Sequence, residues 1–179
     1  MAKYGDPHAI TRALDLAWAS AQLDLRLLRI QPDDARRFQQ LASHLLYPNL
    51  LLRSGPQRIA ENRKGQSGLW AYGISGDIPF LLVSISEMRD LGLIRQLLQA
   101  HAYWRMHGFG ADLVILNEER ESYAQPLRRE LEHLVSSRTC SGETERPGGV
   151  HLRAADSIPA GDMTLLRAAA GIVLVAARG

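Results

Sequence analysis

The sequence is poor in cysteine and has no long apolar run. Its single cysteine, Cys140, excludes an intramolecular disulfide and a cysteine-based metal site and fits a reducing compartment, so we expect a cytoplasmic setting. Residues 1–6 lack the apolar core of a signal peptide. Nowhere does a run of about 18 apolar residues occur, so we expect no transmembrane segment in this chain.

The chain also lacks a strong excess of one charge. Twenty-one Lys and Arg residues against nineteen Asp and Glu residues leave a formal charge of +2, and the basic residues are scattered. This distribution argues against a nucleic-acid partner. With 46% hydrophobic and 22% charged residues, the composition is typical of a folded globular chain. A length of 179 residues predicts one domain, or one small domain with a helical arm.

The first 52 residues have the pattern of a helical arm. Apolar residues recur at helical spacing between His8 and Ile30, and a second apolar set widens the stripe, so we expect this helix to pack against more than one neighbour. Pro32, followed by two aspartates, predicts the start of a second helix that runs to about Tyr47. The two helices form a predicted hairpin.

Residues 53–77 are rich in glycine and proline, which predicts an irregular connecting loop. Beyond them, residues 78–179 alternate between apolar strands and amphipathic helices. Strands are predicted at 78–85, 111–116, 150–153 and 172–176, with helices at 90–107, 126–137 and 162–169. Residues 165–177 also fit one buried helix, although we favour a break at Gly171. The fold prediction is α/β: an N-terminal helical hairpin followed by a small, mostly parallel Rossmann-like sheet with flanking helices.

Motifs for known chemistry are missing. The chain has no Gly-x-Gly-x-x-Gly after its first strand, no Walker lysine and no Gly-x-Ser-x-Gly elbow. Its histidines and lone cysteine do not have metal-ligand spacing. We therefore assign no catalytic residue, cofactor or metal from the sequence.

Two places carry candidate ligand contacts. In the glycine-supported stretch 68–77, Trp70 and Tyr72 could stack on a sugar ring and Asp77 could accept hydrogen bonds from its hydroxyl groups. The alternative is that Trp70 plugs the junction between the arm and the sheet. Asn117 and Glu118 follow the second strand, where parallel sheets bind ligands, or they merely reach solvent there.

Three ordered stretches resemble the cyclic β-1,2-glucan synthases. They are residues 66–79 (QSGLWAYGISGDIP), 94–105 (IRQLLQAHAYWR) and 112–118 (DLVILNE), and residues 12–18 and 46–48 are similar as well. Those synthases are large inner-membrane proteins that join a glycosyltransferase part to a cytoplasmic half resembling cellobiose phosphorylases. The resemblance implies a cytoplasmic segment between the glycosyltransferase and the phosphorylase-like barrel, and hence a fragment, an isolated domain or a degenerate gene piece.

None of the residues matches the family's nucleotide-sugar site, acid catalyst or phosphate site. The resemblance therefore implies a non-catalytic accessory segment that positions or helps to bind glucan, with β-glucan or the remainder of a synthase as partner. Two alternatives stay open. One is a small stand-alone α/β enzyme that uses Asp77 and Glu118 on glycans. The other is a protein-interaction module that docks through the apolar stripe of the first helix.

Overall fold

The computed structural model describes residues 7–119, 125–138 and 146–176. These residues form seven α-helices and four β-strands: α1 (Pro7–Leu28), α2 (Pro32–Leu46), α3 (Pro56–Glu61), α4 (Ser67–Trp70), β1 (Phe80–Ile85), α5 (Leu91–Met106), β2 (Asp112–Asn117), α6 (Pro126–Arg138), β3 (Val150–Ala154), α7 (Ala160–Ala169) and β4 (Ile172–Val175). Short 3-10 turns, Met88–Asp90 and Ala155–Ser157, precede α5 and α7. Cys140 lies outside the described residues.

The four strands form one parallel sheet in the order β3-β2-β1-β4. The two central strands are buried along their whole length, which explains their continuous apolar sequences. The predicted α/β class is confirmed, and every pairing between the described strands is parallel. Gly171 separates α7 from β4, so the break predicted there is confirmed as well.

Helices cover both faces of the sheet, as alternating side chains require. On one face, Leu81, Val83 and Ile115 pack in a cluster with residues of α2, α5 and α6. On the other face, Leu82 and Val114 pack in a second cluster with residues of α4 and α7. The sheet is thus the middle layer of three.

Helix α2 is joined directly to the sheet layer. It begins with Pro32 and two acidic residues in its first turn, as predicted. The Trp104 indole N–H of α5 donates to Phe38 O of α2 at 2.8 Å. Past the end of α2, Leu52 O accepts a hydrogen bond from Val173 N of β4 at 2.7 Å. These contacts fix the end of the helical arm beside β4.

Helix α1 is mostly uncovered. Its last turns lie near α5: Leu25 and Leu28 are partly buried against the core, and the Asp24 carboxylate is 3.9 Å from His107 Nε2. The other large apolar side chains of α1 are exposed. Within the described chain, helix α1 packs mainly on α5 and only near its C-terminal end, so the prediction that it packs against more than one neighbour is not met by the described residues alone.

The stretch 53–77 is more regular than predicted. It contains the short helices α3 and α4, both of which contact α7. The irregular backbone predicted there is therefore interrupted by two short helices, since packing on α7 stabilises turns that are too short to show a periodic pattern. None of the helices in the described part of the chain has both the length and the hydropathy needed to cross a membrane.

Candidate functional site

Trp70 lies on the surface at the end of α4. Its side chain is 64% exposed, whereas its neighbour Leu69 is 3% exposed and belongs to the cluster under α7. A side chain this exposed does not plug the junction between the arm and the sheet in the described chain, and the indole ring is available to solvent.

A compact set of hydrogen bonds holds Trp70 beside Asp77. The Trp70 indole N–H donates to Ser75 O at 3.2 Å, and the Gln66 amide donates to the same oxygen at 2.9 Å. Gln66 Nε2 also donates to Asp77 Oδ1 at 2.8 Å, and Asp77 N donates to Ser75 Oγ at 3.2 Å. An exposed aromatic ring and an exposed carboxylate therefore share one hydrogen-bonded unit, which we name the Trp70–Asp77 turn.

Glycine at position 76 is required by this geometry. Gly76 has a left-handed backbone with φ of 76°, and a Cβ atom there would lie 2.7 Å from Gln66 Cγ. Gly73, with φ of 74°, supplies the preceding left-handed residue. The two glycines of the sequence pattern thus shape the turn and let Gln66 reach both of its acceptors.

Tyr72 has a different role from Trp70. Its hydroxyl group donates to Asp162 Oδ2 of α7 at 3.1 Å, and Asp162 also forms an ion pair with Lys64. Burial, together with the hydrogen bond to Asp162, raises the pKa of the Tyr72 phenol, while the hydrogen bond from Lys64 lowers the pKa of Asp162. The phenol therefore anchors this segment to α7.

Asn117 lines a cleft of about 370 Å³ at the carboxyl ends of β2 and β3. It is 9% exposed, and its Oδ1 accepts a hydrogen bond from Glu119 N at 2.9 Å. Arg128, Asp156 and Ser157 are among the other polar residues that line the cleft. Asn117 therefore borders a polar cleft at the end of its strand.

Glu118 turns to the other side of the sheet. Its Oε1 accepts a hydrogen bond from Arg167 of α7 at 3.3 Å, so it ties the end of β2 to that helix. The next residue, Glu119, accepts from Leu127 N and Arg128 N at 3.2 Å each and so caps the start of α6. The sequence interpretation gave Glu119 no such role, although an acid eight residues before Leu127 is a usable signal.

Asp77 and Glu118 lie at opposite ends of the sheet. Asp77 precedes β1, whereas Glu118 N donates to Ile85 O at the other end of that strand. A six-residue strand, with a rise of about 3.3 Å per residue, puts these ends roughly 16 Å apart. Glycosidase carboxylates lie roughly 5 to 9.5 Å apart. The two residues therefore do not form the catalytic pair of the enzymatic alternative.

The amino-terminal edge of the sheet holds a buried polar pair that sequence reasoning missed. Asp112 Oδ1 accepts hydrogen bonds from Gly148 N at 2.7 Å and Gly149 N at 3.2 Å, and His151 Nε2 lies 3.1 Å from it. Both side chains are fully buried. An aspartate that opens an otherwise apolar strand was the available signal, and its role is to fasten the segment before β3.

Within the ranges described above, no three His, Cys, Asp or Glu side chains come together in a way that could hold a metal ion. The polar groups of the Trp70–Asp77 turn and of the Asn117 cleft are amides, hydroxyl groups, carboxylates and guanidinium groups. Such groups exchange hydrogen bonds with a hydroxylated ligand.

The described residues form a small parallel α/β segment in which an exposed indole ring and an exposed carboxylate share one turn and Asn117 borders a polar cleft. The chain matches no family model. It is 34% identical, over 145 residues, to the cyclic β-(1,2)-glucan synthase NdvB of Rhizobium meliloti (strain 1021). The match covers 81% of this chain and 5% of that synthase. It confirms the relationship to a segment of a cyclic β-1,2-glucan synthase, and the chain spans about a twentieth of its relative.

Proposed function

We propose that this chain is a non-catalytic accessory segment of a cyclic β-1,2-glucan synthase-like enzyme that helps to bind or position the glucan. The relationship to a synthase supplies the class of ligand. The observation that carries the proposal is the exposed Trp70 ring held beside Asp77.

The chemistry of this turn suits a glucose residue. The apolar C–H face of a sugar packs on an aromatic ring, and a carboxylate accepts hydrogen bonds from the hydroxyl groups at the sugar's edge. Because Ser75 and Gln66 already fix the ring and the carboxylate, binding requires little further ordering of these side chains. Asn117 is a second proposed contact through its cleft, whereas Tyr72 and Glu118 support the contact surface through their bonds to α7.

A non-catalytic role is supported by the structural contacts that the acidic residues make. Glu118 is paired with Arg167, Glu119 caps α6, and Asp77 is a strand length away from both. In this proposal the chemistry belongs to other parts of the synthase, and the segment lies on the cytoplasmic side of the membrane.

Titration of linear β-1,2-glucooligosaccharides, followed by calorimetry, tests the glucan contact. We expect the wild-type chain to bind and Trp70→Ala to weaken binding about tenfold, which corresponds to a loss of about 1.4 kcal/mol. Trp18→Ala is the matched control, because Trp18 is 69% exposed on α1, away from the turn. A wild-type chain that binds no oligosaccharide, or equal losses in the two variants, would refute the glucan contact.

A further inference from the structure

Helix α1 presents a large apolar surface that the described chain leaves uncovered. Six large apolar side chains along the helix are between 52 and 73% exposed: Ile10, Leu14, Leu16, Trp18, Leu23 and Leu27. We name them the α1 apolar surface. A contiguous exposed patch of this kind marks an interaction site in soluble proteins.

The arrangement of these residues shows that the helix is built for burial on more than one side. At about 100° per residue, Leu16, Leu23 and Leu27 lie in one narrow stripe, and Ile10, Leu14 and Trp18 lie in a second. Together the stripes span roughly 220° of the helix, about twice the arc that a surface helix needs. Within the described chain, the second stripe is covered only where it continues through Leu25 and Leu28, which are partly buried against the core.

The first stripe leads into a groove on the body. Leu27 and Leu28 line a groove of about 480 Å³ together with Leu98 and Ala102 of α5. Arg29 and Arg138 lie among its polar lining residues. The groove therefore combines apolar side chains with two basic residues and continues the Leu16–Leu23–Leu27 stripe between α1, α5 and α6.

We infer that an amphipathic helix with acidic flanking residues, from synthase sequence outside this segment, docks along the α1 apolar surface and into this groove. The inference rests on the synthase-segment part of the proposed function and not on glucan binding. A helix fits because Leu16, Leu23 and Leu27 are spaced by seven and four residues, the spacing that interlocks with a second helix. Acidic flanks fit because the groove carries Arg29 and Arg138.

The length of the relative favours an occupant from the same polypeptide. The matched 145 residues are 5% of the synthase, so most of its sequence lies outside this segment. A covalently connected helix is present at an effective concentration in the millimolar range, far above that of a second copy in solution. The α1 apolar surface lies next to the existing contact between α1 and α5. A helix docked on it would therefore extend the helical layer that α1 and α5 already form.

The experiment uses the complete chain and two forms of the Rhizobium meliloti synthase: intact, and with the matched segment deleted. We expect the chain to bind the deleted form and not the intact form, in which the surface is already occupied. Leu16→Glu combined with Leu23→Glu should weaken that binding at least tenfold. Ala19→Glu combined with Gln22→Glu, on the polar side of the same helix, adds the same charges as a matched control and should have no effect.

If the deleted synthase does not accumulate, co-expression provides the readout. Restored accumulation with the wild-type chain but not with the Leu16/Leu23 variant supports the inference, and restoration by neither overturns it. Equal binding by wild type and variant also overturns it. Sedimentation of the chain alone should show a monomer; a dimer that the Leu16/Leu23 variant disrupts would make a second copy the occupant. If the wild-type chain docks on the deleted synthase but binds no oligosaccharide, the glucan contact is refuted and the docking inference stands.

Discussion

Leu69 and Trp70 are neighbours with opposite environments, and no single-residue rule separates them. Aromatic residues are more often buried than exposed, yet here the leucine is buried beneath α7 and the tryptophan is outside. Helix α4 has only four residues, so its orientation depends on what α7 covers and not on its own periodicity. The sequence therefore identified the stretch but not the direction of its side chains.

The ion pair between Lys64 and Asp162 leads to a pH-dependent prediction. Because Lys64 lowers the pKa of Asp162 below its ordinary value of 3.8, the folded state favours the ionised carboxylate. The resulting stability is fully present above that ordinary value and is lost as the pH falls through the lower pKa of the folded state. Asp162→Asn should thus lower the melting temperature at pH 7, and the difference from wild type should shrink below pH 3.8.

Thermal unfolding followed by circular dichroism between pH 7 and pH 2.5 measures this effect. Measurements spaced by roughly one pH unit are sufficient to follow the decline in the melting-temperature difference. Asp156→Asn is the control, since Asp156 is exposed on the turn before α7. A difference between wild type and Asp162→Asn that stays constant over the whole range would show that the ionised carboxylate contributes nothing.

The individual contacts of the site were less predictable than its location. Trp70 and Asp77 do lie together, because Gln66 and Ser75 connect them. Asn117 and Glu118, adjacent in sequence, face opposite sides of the sheet, as successive strand residues must. What no pattern showed was the partner of each group, since Arg167 and Asp162 come from a helix far along the chain.

Among the elements, strands and long helices followed their sequence patterns closely. The two central strands read as continuous apolar runs because both of their faces are buried. The short helices α3 and α4 were missed, since helices of six and four residues depend on packing for their stability. For α1 the amphipathic pattern predicted the helix correctly but not what covers it. Most of its large apolar side chains are exposed in the described chain, because a wide apolar stripe does not identify the molecule that covers it.

The turn before β1 gives a prediction at the scale of one element. Gly76→Ala combines a left-handed backbone with a Cβ atom 2.7 Å from Gln66 Cγ, so it should destabilise the chain by about 2 kcal/mol. Gly108→Ala is the matched control, because Gly108 has φ of 74° but nothing within 4 Å of an added Cβ. That variant carries only the left-handed strain, about 1 kcal/mol.

Urea unfolding of the two variants separates the free-energy cost of the left-handed backbone from that of the close contact with Gln66. Gly76→Ala should also weaken oligosaccharide binding, since a displaced Gln66 no longer fixes Ser75 and Asp77. Equal destabilisation of the two variants, with glucan affinity unchanged, would mean that the close approach of Gln66 does not position the turn.

For the whole molecule, alternation of strands and helices predicted a parallel sheet but could not give the strand order. The crossovers through α5 and α6 lie on one face and that through α7 lies on the other, which places β4 beside β1. This choice depends on contacts between distant parts of the chain, such as Gly171 N donating to Phe80 O at 3.0 Å. Local patterns contain no information on such pairs.

The proposed division into a helical arm (1–52), a connecting loop (53–77) and an α/β domain (78–179) leads to a prediction about truncation. Deleting residues 1–20 removes side chains of α1 that are mostly exposed, so the melting temperature should change by no more than about 2 °C. Deleting residues 1–52 also removes Phe38, Leu45 and the Leu52 contact with β4 from the shared core. That loss should abolish cooperative unfolding.

Circular dichroism and tryptophan fluorescence distinguish these outcomes; buried Trp104 dominates the fluorescence change on unfolding, because Trp18 and Trp70 are already exposed in the folded chain. In the intact chain the two signals should report one coincident transition, because the Trp104 indole N–H bonds to α2 while its helix packs on the sheet. A 53–179 chain that unfolds cooperatively at an unchanged temperature would instead show that the α/β part is stable without the arm. In that case α2 covers the sheet layer without supporting it, and the division marks a real boundary in stability.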